Sequence, residues 1–206
     1  MERMPLTLLE EIRVVVADLP SAISALFLGD WPAPAVTRAV PPSALPVLTW
    51  LHHAARDAPP GPLAVLSRSV RAAAPAMAWR QTYRPGEMAP GFLDRYGWSE
   101  VFGLKGPVAA EKIAGGFLLL GPETVYPPHA HVAEELYVPL SGAAEWQVGD
   151  SPFRRREPGS VIWHESGVAH AMRTADAPLL ALYLWRGSGL EQPEQVTGSA
   201  GPVTPP

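Results

Sequence analysis

The stretch from Gly121 to Gly142, GPETVYPPHAHVAEELYVPLSG, constrains this chain more than any other. His129, His131, Glu135 and Tyr137 all fall at odd-numbered positions there, so extended backbone with a period of two turns them to one face. On a strand packed against an apolar interior, that face leaves two imidazoles, a carboxylate and a phenol without partners, at roughly 1–3 kcal/mol each. A shared cation satisfies all four. Two His and one carboxylate, with positions left open, is the donor set of sites where a divalent metal handles a substrate. His170, which follows the turn signals of Gly159 and Gly167 in PGSVIWHESGVAHAMRT, is a further ligand candidate from a second segment.

The texture around this stretch is that of a sandwich or barrel. From Met77 to Gly187 short β-rich runs alternate with Gly and Pro, with strands expected near 79–84, 113–120, 123–128, 134–139, 143–148, 160–163, 169–174 and 179–186. Residues 1–76 read instead as a helical segment packed on the barrel. Leu6, Leu9, Ile12 and Val16 recur at helical spacing behind Pro5, a second short helix ends near Gly29, Ser43 is placed to cap a third through Ala55, and a fourth runs from Leu63 to Ala74. These helices either cover one barrel mouth or form a homodimer interface. The tail, 188–206, is rich in Gly, Pro, Gln and Ser with little to bury, and reads as flexible.

His129-Ala130-His131, then Glu135, Gly142, Pro158-Gly159, Gly167 and His170 resemble the two signature motifs of the cupin superfamily, small antiparallel jelly-roll β-barrels with a metal inside. Within that superfamily the chain is similar to the cupin-type dimethylsulfoniopropionate (DMSP) lyases. Tyr126 in VYPPH, the run AEELY ending at Tyr137, GVAHAMRT around His170 and Trp185 in LYLWRG carry the likeness, which covers about Trp79 to Gly187. Three positions depart from the general pattern: seven residues instead of five separate Gly121 from His129, Glu165 stands where Pro is common, and Thr174 replaces Asn. None of these is a ligand.

The resemblance implies metal ligation by His131, Glu135, His170 and Tyr137, with His129 a ligand or a close neighbour. It also implies a metal-dependent carbon–sulfur lyase in which Tyr137 is the base, with Tyr126 or His129 as alternates. The reaction needs no redox step, so Zn²⁺ suffices, while Fe²⁺ and Mn²⁺ fit the same ligands. A phenol beside such an ion has its pKa drawn down from ~10. In the last strand Leu179, Ala181, Tyr183 and Trp185 share one face, and turned inward it brings two aromatic rings to an onium cation. Two other readings stay open on the residues alone: a cupin lyase, isomerase or dioxygenase acting on another small carboxylate, and a non-catalytic ligand-binding cupin.

Neighbouring residues have plainer expectations. Glu134 should point to solvent, His164 outward or to a cap, Trp146 and Trp163 into the core or barrel wall, and His52 and His53 to the surface. With no Cys among 206 residues, disulfides, thiolate ligands and a Cys nucleophile are excluded. A net charge of −4 and no basic run longer than Arg154-Arg155-Arg156 argue against nucleic acid. No segment reaches the ~20 apolar residues of a membrane span, and Glu10, Glu11 and Arg13 interrupt any signal-peptide core. The expected address is the cytoplasm.

Overall fold

A computed structural model describes residues 3–20, 22–33, 36–192 and 194–197. Helix α1 (Arg3–Ala17) buries Leu8, Leu9, Ile12, Val15 and Val16, the three- and four-residue spacing that gathers one helical face. Helix α2 (Ala22–Gly29) buries Phe27. A 3₁₀ turn at Pro46–Trp50 runs into α3 (Leu51–Arg56), and α4 (Pro62–Ala73) starts on a proline whose missing N–H costs nothing in a first turn. Ser43 does not cap the third helix. Its hydroxyl donates to the Trp79 carbonyl at 2.7 Å, tying the helical segment to the first long β region, and Pro46 supplies the helix start instead.

The strands in chain order are β1 (Val36–Thr37), β2 (Trp79–Arg80), β3 (Tyr96–Gly103), β4 (Val108–Ala109), β5 (Ile113–Leu120), β6 (Val125–Ala130), β7 (Glu134–Ser141), β8 (Ala144–Val148), β9 (Arg154–Arg156), β10 (Ile162–His164), β11 (His170–Thr174), β12 (Leu179–Arg186) and β13 (Gln195–Val196). They form two sheets, ordered β1-β4-β3-β5-β12-β7-β10, with β2 beside β3, and β13-β6-β11-β8-β9. The jelly-roll barrel expected from the sequence takes the form of two facing sheets that do not close. Their edges at β9 and β10 are three residues long, and the Pro158-Gly159 connection passes between them without a ladder.

Alternation along β12 separates two cores. Leu180, Leu182 and Leu184 pack with Leu9, Ile12, Leu66 and Val70 of the helices on the outer face of the large sheet. Leu179, Ala181 and Tyr183 turn the other way and pack with Tyr126, Trp146 and Met172 of the small sheet. The inward face of β12 is thus the one that carries Tyr183 and, half-buried beside it, Trp185. The helices cover the back of the large sheet, and the functional side chains lie between the sheets.

The segment that reads as a flexible tail has partners in its described part. Leu190 is buried and β13 pairs with His129 and Ala130 of β6, while residues 198–206 lie outside the described residues. Its backbone groups complete the edge of the small sheet, which composition alone does not reveal. No helix among the described residues is long and apolar enough to cross a membrane.

Candidate metal centre

The odd-numbered run does not lie on one strand. β6 ends at Ala130 and β7 begins at Glu134, so His129 belongs to the small sheet and Glu135 and Tyr137 to the large one, with His131 in the link between them. All nevertheless point into the space between the sheets, because the link carries the chain across that space. His129, His131, Glu135, Tyr137 and His170 are all buried. His170 on β11 stands opposite His129 on β6.

Three imidazoles are oriented in the same way. Nδ1 of His129 donates to the Pro127 carbonyl at 2.9 Å, that of His131 to Ala133 at 2.8 Å, and that of His170 to Val168 at 3.0 Å. A carbonyl only accepts, so each Nδ1 carries a proton, and in the neutral ring each Nε2 presents a lone pair to the interior. Such backbone anchoring fixes the tautomer of metal-binding histidines.

What these Nε2 atoms face is a carboxylate. Glu135 Oε2 lies 3.0 Å from His131 Nε2 and 3.1 Å from His170 Nε2, the latter without the alignment of a hydrogen bond. One ligand atom from each of His131, Glu135 and His170 lies within 4.8 Å of the others. His129 Nε2 is buried with no hydrogen-bond partner, its ring 4.2 Å from that of His170. Imidazole lone pairs and a carboxylate converge on one point, so the donor set fits a divalent cation bound by nitrogen and oxygen.

The electrostatics carry the same message. Burial would raise the Glu135 carboxyl, but the His131 charge and hydrogen bonds from His131 and His164, with His170 facing it, hold it well below the usual carboxylate range. Burial pulls His131 down, and the Glu135 charge outweighs it to give a net upward shift. Burial, with His170 next, lowers His129 well below its ordinary value, and burial followed by the Glu135 charge pushes the Tyr137 phenol well above ~10.

Tyr126, Glu135, Tyr137, Tyr183 and Trp185 line one cavity of about 220 Å³, a small-molecule volume, together with Tyr96, Trp98 and Glu194. Tyr126 stacks on His129 at 4.0 Å between ring centres. Trp185 Nε1 donates to Glu135 Oε1 at 2.6 Å, so the strand that supplies the aromatic wall also fixes the carboxylate. Every site residue expected from the sequence is brought to this cavity or the cluster beneath it.

Two residues of the site were not expected. His164, read as outward or capping, is fully buried, with Nδ1 3.2 Å from Glu135 Oε2 and its ring stacked on His170 at 3.8 Å. β10 pairs with β7 so that His164 faces Glu135, a cross-strand register invisible in a three-residue strand. Glu194 comes from the C-terminal segment, and its Oε2 accepts hydrogen bonds from the Tyr126 and Tyr83 hydroxyls. Glu134, expected in solvent, is half-buried and paired with Arg186, whose other partner is Asp30 at 2.8 Å.

Two facing, mostly antiparallel sheets with a His/Glu cluster between them make this a cupin. Sequence comparison narrows the class: residues 28–181 match the dimethylsulfoniopropionate lyase family, and the chain belongs to it. It is 36% identical over 187 residues to the dimethylsulfoniopropionate lyase DddQ of Ruegeria pomeroyi, covering 87% of this chain and 88% of that one. The crystal structure of DddQ from Ruegeria pomeroyi superposes with a TM-score of 0.85 at 31% identity, over 96% of this chain and 98% of that one. A chain from the crystal structures of the DMSP lyases RdDddP and RnDddQII gives 0.85 at 32%, over 96% and 99%.

Proposed function

We propose that this protein cleaves DMSP to dimethyl sulfide, acrylate and a proton by base-initiated β-elimination. The observation that carries the reading is one continuous site: an acceptor-only cluster of His131, Glu135, His170 and His129 opens onto a cavity walled by Tyr126, Tyr137, Tyr183 and Trp185. Membership of the DMSP lyase family supports the substrate.

In this reading His131, Glu135 and His170 would hold the metal, with His129 and Tyr137 completing the set, and Zn²⁺ would suffice because the elimination has no redox step. When bound, a divalent cation would supply Lewis acidity that favours negative charge developing beside a carboxylate. Tyr137, on the cavity wall and on the same strand as Glu135, takes the proton from the carbon adjacent to the substrate carboxylate as its phenolate and is left as the phenol. The electron pair left behind forms the carbon–carbon double bond, the C–S bond breaks, and its electrons leave with sulfur as dimethyl sulfide. Tyr183 and Trp185 offer ring faces to the sulfonium and hold it away from water. Trp185 also steadies Glu135 through its indole N–H.

The cytoplasmic address expected from the sequence, and a homodimer formed through the helical segment, belong to the same proposal. The test is headspace dimethyl sulfide from metal-stripped protein reconstituted separately with Zn²⁺, Mn²⁺ or Fe²⁺ and supplied with DMSP. Release that depends on added cation supports the reading. A fully loaded protein that releases none removes it.

A further inference from the structure

The cavity holds a carboxyl, that of Glu194, which the elimination scheme does not use. β13 adds to the small sheet at β6, and Thr197 N–H donates to the Pro128 carbonyl at 2.8 Å, which pins the preceding Glu194 against the cavity. Its Oε2 accepts from the hydroxyls of Tyr126 and, at 3.2 Å, Tyr83. Tyr126 is steadied by Tyr96, hydroxyl to hydroxyl at 3.4 Å, and Tyr96 by Thr82 at 2.9 Å. Hydrogen bonds donated to this oxygen by two phenols favour the ionised form of the carboxyl. Burial pushes the Glu194 carboxyl up, and the Tyr126 hydrogen bond opposes that.

Among the described residues no Lys or Arg makes an ion pair with Glu194, and Lys105, which also lines the cavity, sits over the Trp98 ring at 5.4 Å. The charges that favour its ionised form are those of His131 and His170. Glu194 therefore faces a small aromatic cavity as a carboxylate on a phenol frame, and Glu135 of the metal cluster lines the same cavity. A ligand that satisfies both ends is a short zwitterion: an anionic end for the metal cluster and a fixed cation for Glu194.

We propose that Glu194 is the counter-charge that selects an onium head group, so that the enzyme distinguishes a sulfonium or ammonium acid from a neutral acid of the same shape. This rests on the reading of the site as one for a DMSP-like carboxylate. The aromatic faces alone attract any polarisable group, whereas a carboxylate adds a preference for net positive charge.

The test uses two inhibitors with the same carboxylate and the same shape that differ in head-group charge, 3-(trimethylammonio)propionate and 4,4-dimethylpentanoate, titrated into metal-loaded protein by the fluorescence of the cavity tryptophans. The wild type should bind the cationic acid at least tenfold more tightly. In Glu194→Gln that ratio should fall toward one while 4,4-dimethylpentanoate affinity stays the same or rises, and Glu194→Asp should keep the preference. Equal affinities in the wild type, or an undiminished ratio in Glu194→Gln, would overturn the assignment. Charge discrimination in a protein that releases no dimethyl sulfide would sink the DMSP reading and leave Glu194 standing. Cleavage of DMSP without discrimination would do the reverse.

Discussion

His164 stands directly opposite Glu135 in the β7–β10 ladder, its Nδ1 3.2 Å from Oε2, and both are fully buried. The neutral imidazole donates to the oxygen that also faces His131 and His170, so it orients the carboxylate without competing for its negative charge. Trp185 holds the other oxygen from β12. Glu135 is therefore clamped from both neighbouring strands. Removing an outer partner of a metal ligand typically weakens metal binding 10- to 100-fold. His164→Asn should weaken Zn²⁺ binding by that factor in a chelator competition, with the fold preserved by circular dichroism, and unchanged affinity would deny His164 this role.

Tyr137→Phe removes the proposed base and leaves the imidazoles and Glu135 in place. Loss of a general base costs about 10²–10⁴-fold in rate. The variant should release dimethyl sulfide at least a hundredfold more slowly while retaining most of its bound metal by elemental analysis. Near-full turnover would move the base elsewhere in the cavity, with Tyr126 the next candidate.

Metal-free protein should be less stable in mild acid. Burial lowers His164 to about 4, whereas the unfolded chain takes the proton near ~6.5, so the unfolded state binds more protons between these values. Stability then falls as pH drops from ~6.5 to ~4, by up to roughly 3 kcal/mol from this group. His129, also depressed by burial, acts in the same sense, while His131, raised by Glu135, acts against it. Urea unfolding of stripped protein should show a lower midpoint at pH 5 than at pH 7, with a smaller difference in His164→Asn. Identical pH profiles for the two proteins would mean that His164 accepts a proton as readily folded as unfolded.

Gly116 sits on β5 opposite Tyr183, where a Cβ would lie 1.9 Å from the Ser99 carbonyl oxygen of β3. That contact is with backbone, so the strands must separate to admit a methyl group. Overpacking of this kind costs 1–3 kcal/mol or more. Gly116→Ala should lower the thermal midpoint by several degrees and weaken DMSP binding, since β3 carries Tyr96 and Trp98 of the cavity. An unshifted midpoint would show that the sheet gives more easily than the close approach suggests.

The parts of the site that were legible in the sequence are those with local signals. The odd parity from His129 to Tyr137 survives the change of sheet, and the alternation of Leu180, Leu182 and Leu184 with Tyr183 and Trp185 separates the two faces of β12. His164 and Glu194 depend on contacts between distant segments: a three-residue strand has too little length to show a period, and a tail rich in polar residues gives no sign that its backbone will extend a sheet. β3, with Gly97, Ser99 and Glu100 among its apolar residues, carries no β-rich run, and Tyr96 went unread with it. The jelly-roll cupin fold was legible, and only the gap between its sheets was not, because closure depends on whether β9 and β10 meet, a tertiary matter that strand composition does not encode.

Counting the divalent ions bound per chain, in the wild type and in Glu135→Gln, tests the centre of this account most directly. The buried acceptor cluster predicts one Zn²⁺ per wild-type chain after loading and dialysis, and a loss of most of it in the variant, whose amide removes the negative charge shared by His131 and His170. A wild-type protein that retains no cation, or a variant that retains it as well as the wild type, would contradict the metal centre on which the chemistry depends.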